Sequence, residues 1–298
     1  MKLENLLKEA AKIKGQSVAV ASAEDEEVIE AVAEAIHRDL AQFMLFGQKD
    51  AIELLLDKKG IGKERVQIIH AWSQQQAAEL AVRSVHQNEA SVLMKGHIPT
   101  SSLLKAVLNK EYGLRTGRVL SHVAAFDIPG FSKALIVTDA AMNIEPDIQQ
   151  KEQIIVNAVN VARSIGVSFP KVAAIAAVEV INPSMKATLD AAALTMMNKR
   201  GQIQNCIVDG PLALDNAVSI LAAQHKGITS EVAGQADILF VPTIEVGNVL
   251  YKSLIYFANA KVGAVIAGAK APIVLTSRSD SSESKLYSLA LALCSSDK

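Results

Sequence analysis

The residues best suited to chemistry lie near the end of the chain, in the segment PIVLTSRSDSSESKLYSLALAL from Pro272 to Leu293. An apolar run, Ile273–Leu275, reads as a buried strand. Thr276-Ser277-Arg278-Ser279-Asp280 then forms a polar loop, and a helix follows with Leu286, Leu289, Ala290 and Leu293 on one face. A Ser-Arg pair between the carboxyl end of a strand and the amino end of a helix suits an anion. Loop amides and the helix dipole favour negative charge there. The guanidinium adds a planar fork that can grip two phosphate oxygens. Ser277 and Arg278 therefore point to phosphate chemistry.

Four further segments carry polar residues just after an expected strand. In LMKGHIPTSSLLKAVL, Lys95 supplies a point charge, Gly96 lets backbone approach a ligand, and Thr100, Ser101 or Ser102 caps a helix. The same pattern also reads as an ordinary strand–loop–helix junction. In VTDAAMNIEPD, Asp139 and Asn143 face a ligand or form an Asx turn ahead of a helix opening at Pro146. In VDGPLALDNAV, Asp209 and Gly210 close a strand and Pro211 starts a helix. In VPTIEVGNVLYKS, Gly247-Asn248 leads into a helix bearing Tyr251 and Lys252. A fifth segment, LRTGRVLSHVAAF, places Arg115 and Arg118 before a strand containing Ser121 and His122, where the histidine either meets substrate or is a satisfied core residue. Ligand sites of α/β folds gather at the carboxyl ends of strands, so the shared placement carries more weight than any one segment. No P-loop, GxGxxG, GxSxG or HExxH is present, which removes the sequence basis for a dinucleotide fingerprint, a serine elbow or a catalytic metal.

Short β-rich runs alternate with longer helical ones. Strands are expected at Ser17–Ala21, Gln42–Phe46, Val66–His70, Ser91–Met94, Val119–Ala125, Leu135–Thr138, Lys171–Ala176, Asn205–Val208, Ile238–Val241, Ala264–Ile266 and Ile273–Leu275. Their near-continuous apolar character predicts parallel sheets covered on both faces. The expected fold is α/β, with two three-layer domains and a ligand cleft between them. The turn Asp127-Ile128-Pro129-Gly130 breaks the alternation and is the expected junction. Residues 1–142 plus 273–298 would form one domain, with the last helix returning to it, and residues 143–272 the other.

The totals bound the remaining possibilities. The chain has 298 residues and is 50% hydrophobic, enough for one large or two ordinary domains. Thirty basic and 31 acidic residues leave a net charge of −1, and only 4% of residues are aromatic; neither a nucleic-acid nor an anionic-membrane partner is indicated. Cys206 and Cys294 lie far apart in apolar settings and read as inert thiols. The opening MKLENLLKEAAKIKG reads as an amphipathic helix rather than a secretion signal, and no apolar run reaches the length of a membrane span. A reducing cytoplasm is the expected location.

Taken together, Asp139-Ala-Ala-Met-Asn143, Asp209-Gly-Pro-Leu-Ala-Leu-Asp215, Val232-Ala-Gly234, Gly247-Asn248 with Tyr251-Lys252, and Ser277-Arg278 resemble the phosphate acetyl/butyryltransferase family. LMKGHIPTS, LSHVAAFDIPGF, CIVDGPLALDNAVS, GNVLYKSLIYFA and GAKAPIVLTSR are most similar to its butyryltransferase branch, and the resemblance covers nearly the whole chain. It implies an isocitrate/isopropylmalate dehydrogenase-like pair of domains and a homodimer or larger assembly. The implied reaction is reversible: butyryl-CoA plus phosphate gives butyryl phosphate plus CoA, and no metal or redox cofactor is implied as essential. In that chemistry Arg278 anchors phosphate and Ser277 hydrogen-bonds the oxyanion or the leaving thiolate. Related acetyltransferases lead one to expect an acid at the position of Ser284. Its neighbours Glu283 and Asp280 are the candidate bases, although Asp280-x-x-Glu283 also reads as a capping box. Lys105 falls where those enzymes carry an arginine. The competing expectations are an acetyl-preferring enzyme, a hydroxyacid dehydrogenase on a similar scaffold, and a non-catalytic anion- or CoA-binding protein.

Overall fold

A computed structural model describes residues 2–275 and 281–296. Along the chain the strands are β1 (Ser17–Ala21), β2 (Gln42–Gly47), β3 (Val66–His70), β4 (Val92–Lys95), β5 (Ser121–Asp127), β6 (Leu135–Thr138), β7 (Lys171–Ile175), β8 (Ile207–Leu212), β9 (Ile238–Phe240), β10 (Lys261–Ala267) and β11 (Ile273–Val274). The helices are α1 (Leu3–Lys12), α2 (Glu26–His37), α3 (Lys49–Lys58), α4 (Gln74–His86), α5 (Thr100–Val107), α6 (Ile148–Ser164), α7 (Lys186–Lys199), α8 (Leu214–Val218), α9 (Ile220–His225), α10 (Ile244–Tyr256) and α11 (Ser282–Ser295). Every expected strand is present, with ends displaced by a few residues.

The chain divides into two compact units. The first comprises Glu4–Arg118 and the stretch from Gly263 onward. Its strands run in the order β3-β2-β1-β4-β11-β10, parallel except where β11 meets β10. Val18, Ala19, Val20 and Ala21 of β1 are completely buried, as a parallel sheet covered on both faces requires. Asp25 caps α2 by accepting from the amides of Glu27 and Val28, and the helix buries Val28, Ile29, Val32 and Ala35. Helix α4 starts at the hydroxyl cap of Ser73, buries Ala77, Ala81, Val82 and Val85, and packs on β1 and β2. Helix α11 packs against α2, where buried Lys285 bonds Glu27 at 2.6 Å.

The second unit comprises Val119–Val262 and the first residues of the chain. Its order is β5-β6-β9-β7-β8, parallel except for the β5–β6 hairpin. Helix α6 opens with a capping box between Asp147 and Gln150 and lays Ile154, Ile155, Ala158 and Ala162 against the sheet. Buried Lys151 of α6 pairs with Asp190 of α7 at 2.6 Å.

The boundaries differ from those expected from sequence, which fell at 142/143 and 272/273. They lie at 118/119 and 262/263. The Asp127–Gly130 turn is no junction: Phe131 N–H bonds the Ile128 carbonyl at 3.0 Å, and the turn closes a hairpin whose strands pair from Val123–Thr138 to Phe126–Leu135. Both strands fall within Val119–Val262. Lys2 fastens the start of the chain to this turn through Asp127 and the Phe131 carbonyl. Gly210 and Pro211 are also placed differently. They lie inside β8, and the following helix begins at Leu214.

Among the described residues no helix is long and apolar enough to cross a membrane. Cys206 and Cys294 are free thiols, both pushed up to about 11 by burial, with Glu9 adding to the shift at Cys294.

Candidate functional site

The second unit gathers His122, Asp139, Asn143, Asn248 and Tyr251 at one end of its sheet. Strand β6 ends at Thr138, so Asp139 begins the loop at its carboxyl end. Antiparallel β5 places His122 beside that loop, since Val123 pairs with Thr138. Asp139 is buried, with 3% of its surface exposed. Its Oδ1 accepts from the amides of Ala141 (2.9 Å) and Met142 (3.0 Å); its Oδ2 accepts from the Asn143 amide (3.2 Å) and from Asn143 Nδ2 (2.6 Å). Asn143 Nδ2 also donates to the Leu120 carbonyl at 2.8 Å. Asp139 is thus the keystone of an Asx-type turn, with every bond directed into its own loop.

Helix α10 closes over this loop. Gly247 makes that possible, because a Cβ there would lie 2.5 Å from the Asp139 carbonyl oxygen and 2.8 Å from Ala140 Cα. The next residue, Asn248, reaches the Ala140 carbonyl at 3.5 Å. One turn on, the Tyr251 ring meets His122 and Phe126 edge-on, with centroids 5.7 and 5.2 Å apart. Thr138 Oγ1 holds the His122 carbonyl at 2.8 Å. Burial pushes the His122 imidazole below the ordinary histidine range, and the neighbouring Asp139 charge opposes that shift. Its Nδ1 is shielded and has no hydrogen-bond partner. Nothing in the sequence pattern marked Thr138, a strand residue, as a support for His122.

Four other candidates of this unit stand apart. Ser121 is completely buried and accepts from Asn157 Nδ2 at 2.9 Å, which ties β5 to α6. Asp209 pairs with Ala173 at mid-strand and lines a surface pocket of about 540 Å³ with Lys199, Thr229, Ser230, Glu231 and Gln235. Gly210 packs on Ala174 of β7 and Ala191 of α7. Lys252 lies on the exposed side of α10.

In the first unit, β1 lies between β2 and β4, so the strand order reverses direction beside it. That is a switch point of the kind where α/β folds bind ligands. Lys95 ends β4 and donates to the carbonyls of Gly96 (3.1 Å) and Ile98 (3.2 Å). Gly96 has a structural role: a Cβ would lie 2.0 Å from the Ser22 carbonyl oxygen, to which the next amide, His97, donates at 2.7 Å. Helix α5 carries Pro99 at its cap with no side-chain cap bond, which leaves the exposed hydroxyls of Thr100 and Ser101 out of the capping role expected for them. Sequence reasoning passed over Ser22, Asp25 and His97, which share this edge. His97 pairs with Asp25 at 3.1 Å, and Ser22 Oγ is buried without a partner. Polar residues directly after β1 were the available signal. Arg115 lies exposed in the loop before β5, as does Lys105 on α5.

Ser277, Arg278 and Asp280 lie outside the described residues. Strand β11, which leads to them, runs parallel to β4 with Val274 paired to Met94, one residue before Lys95. The expected Asp280–Glu283 capping box is not the cap of α11. Ser281 is the cap, accepting from the Ser284 amide at 3.1 Å, and its hydroxyl bonds that of Ser284 at 3.1 Å. Ser284, where an acid was expected, is therefore occupied in helix initiation. Glu283 Oε1 accepts from the Tyr287 hydroxyl at 3.1 Å. Among the described residues no group of three or more His, Cys, Asp and Glu side chains could hold a metal ion.

Comparison with known proteins agrees with this framework. Residues 55–293 match the family described as phosphate acetyl/butaryl transferase. The chain is 58% identical to a probable phosphate butyryltransferase of Bacillus subtilis (strain 168), over 100% of this chain and 99% of that one. It is 47% identical to a phosphate acetyltransferase of Thermotoga maritima, over 98% and 99% of the two chains. A solved branched-chain phosphotransacylase from Enterococcus faecalis V583 superposes with a TM-score of 0.83 at 38% identity, covering 94% of this chain and 98% of that one. The chain belongs to the phosphate acetyl/butyryl transferase family, a family of acyltransferases.

Proposed function

We propose that this protein is a phosphate butyryltransferase, moving a butyryl or similarly short acyl group reversibly between CoA and inorganic phosphate. The observation that carries the proposal is the 58% identity with the Bacillus subtilis relative along essentially the full length of both chains. In the forward step a phosphate oxygen attacks the thioester carbonyl carbon, and the carbonyl π pair moves to oxygen. The tetrahedral oxyanion then collapses, the C–S bond breaks, and CoA leaves with that electron pair as a thiolate that takes up a proton. Two anions must be held close together, so cations are needed. Arg278 is proposed as the phosphate anchor and Ser277 as a donor to the oxyanion or thiolate, with Lys95, Arg115, Thr100, Ser101 and the amino end of α5 as further anion contacts. His122, Asn143, Asn248 and Tyr251 are proposed substrate contacts in the second unit. CoA and phosphate serve as substrates and no separate cofactor is invoked. The base is Glu283 or Asp280 in this proposal.

The proposal includes a homo-oligomer. Only Gly247 of α10 is buried, while Val246, Val249, Tyr256 and the following Phe257 are exposed. Light scattering at micromolar concentration should report a dimer or larger; a monomer would remove this element.

Butyryl-CoA with thiol detection, with and without phosphate, tests the reaction. Phosphate-dependent CoA release is expected, and its absence defeats the proposal. The Thermotoga maritima relative keeps an acetyl-preferring enzyme as the second reading. Comparing kcat/KM for acetyl-, butyryl- and isobutyryl-CoA decides between them, and a preference for acetyl-CoA removes the butyryl assignment.

A further inference from the structure

We infer that His122 is a neutral, single-tautomer hydrogen-bond donor that binds an uncharged carbonyl oxygen of the acyl-CoA substrate. This rests on the proposed acyltransfer. Three observations carry it.

The first is the imbalance between the two ring nitrogens. Nδ1 is shielded and has no partner. In a neutral imidazole one nitrogen is a donor and the other an acceptor. A buried N–H left unpaired is rarer and costlier than an unused lone pair, so the proton belongs on Nε2. The Nε2–H edge is the one left to meet a ligand.

The second is rigidity. Thr138 Oγ1 fixes the backbone carbonyl of His122, and Tyr251 meets the ring edge-on. Tyr251 is itself supported by Phe126, a completely buried residue of β5. A donor held from both backbone and ring loses little freedom when it binds.

The third is the local charge. Asp139 is the charged group acting on the ring, and Tyr251 is the titratable group packed against it. Both carboxylate oxygens of Asp139 are already bonded within the loop, so no salt bridge to the ring forms. Burial then keeps the imidazole uncharged near neutral pH. A neutral donor beside a carboxylate disfavours a phosphate dianion and accepts a neutral carbonyl. Acyl-CoA offers that group in two places, the thioester carbonyl and the amide carbonyls of its pantetheine arm.

The test compares wild type with His122→Phe, which keeps a ring against Tyr251 but removes the donor, and His122→Gln, which restores an N–H. If the partner is the thioester carbonyl, His122→Phe should lower kcat about 10²–10³-fold, the effect of removing an oxyanion donor. If the partner is an arm amide, KM for butyryl-CoA should rise about tenfold with kcat nearly unchanged. In either case KM for phosphate stays constant and His122→Gln recovers part of the loss. Unchanged kinetics in His122→Phe, or an effect confined to the phosphate KM, overturns the inference. A measurement on the wild type guards against a misfolded variant. In ¹⁵N-histidine NMR, His122 should carry its proton on Nε2 and titrate below 6.5, and that resonance should shift when butyryl-CoA is added without phosphate. A proton on Nδ1, or no shift, also overturns it. If wild type itself releases no CoA with phosphate present, the proposed function fails, which is distinct from wild-type turnover that survives the loss of His122.

Discussion

Replacing Asp139 by alanine removes an acceptor that holds four N–H groups, three on the backbone and one on Asn143. Hydrogen bonds to a charged group contribute about 1.5–3 kcal/mol each. Simple addition would exceed what one loop can supply, because the donors are not equally sheltered. Ala141 is exposed, and Met142 and Asn143 are half-buried, so water replaces the carboxylate at most of these sites. The deeply buried partner is the carboxylate itself, and alanine takes its desolvation cost away. A net loss of about 2–4 kcal/mol follows, measured by urea denaturation followed by circular dichroism. The shared Oδ2–Nδ2 contact gives a sharper test. Asn143→Ala alone should cost about 1–2 kcal/mol, and the double variant should cost about 1–2 kcal/mol less than the sum of the two singles. Strict additivity, or a loss under about 0.5 kcal/mol for Asp139→Ala, would refute the view that this carboxylate builds the loop carrying the candidate site. Activity should fall with it, because α10 and Tyr251 rest on the same loop.

Arg278→Ala should reduce kcat/KM by orders of magnitude with the circular dichroism spectrum unchanged; retained turnover would dismiss Arg278 as the phosphate anchor. Lys151→Met should destabilise by about 3 kcal/mol, because it strands the mostly buried Asp190, whereas Lys151→Met with Asp190→Leu should recover most of that; a double variant as unstable as the single would contradict this. Asp39 is held down to about 2 by hydrogen bonds from Lys14 and Arg65, against an ordinary value of 3.8. A folded value below the unfolded one adds stability above the unfolded value that disappears as pH falls through the folded one. Asp39→Asn should therefore lower Tm slightly at about pH 6, with the gap closing as pH approaches about 2 and as salt is added. A gap independent of pH would exclude the carboxylate as its source.

The fold was legible because its strands are short apolar runs that only a doubly covered sheet can bury. Val18–Ala21 and Leu135–Thr138 are unambiguous on that ground. The domain boundary was less legible, because pairing between strands decides it. Val119–Ala125 and Leu135–Thr138 look like the last strand of one domain and the first of another, and their antiparallel ladder is invisible in composition. The site was legible where its contacts are local. Asp139 and Asn143 bond within five residues of sequence, and the Asx turn was one of the two expectations for them. Long-range supports were not: Thr138 to His122 and Tyr251 to Phe126 are set by sheet register and helix docking.

Several residues with the look of chemistry turn out to hold the scaffold. Gly96 admits the Ser22 backbone, Ser121 anchors α6, Gly210 packs on α7, and Ser284 starts the last helix. Loss of activity on replacing any of them would report a displaced backbone rather than a missing catalytic group. His122 differs in kind. It is a polar residue of β5 with a buried nitrogen left unpaired, a cost of about 1–3 kcal/mol that packing alone does not repay. Avoiding that cost would be easy in a purely structural role, since a leucine or phenylalanine would fill the space beside Tyr251 with no polar atom to strand. In the inferred role the unpaired Nδ1 follows from presenting Nε2 to a ligand, and an imidazole kept neutral by burial is useful where a donor must not carry a charge. A variant that stabilises the fold while impairing the use of butyryl-CoA, as His122→Phe is expected to do, would separate these two roles in one experiment.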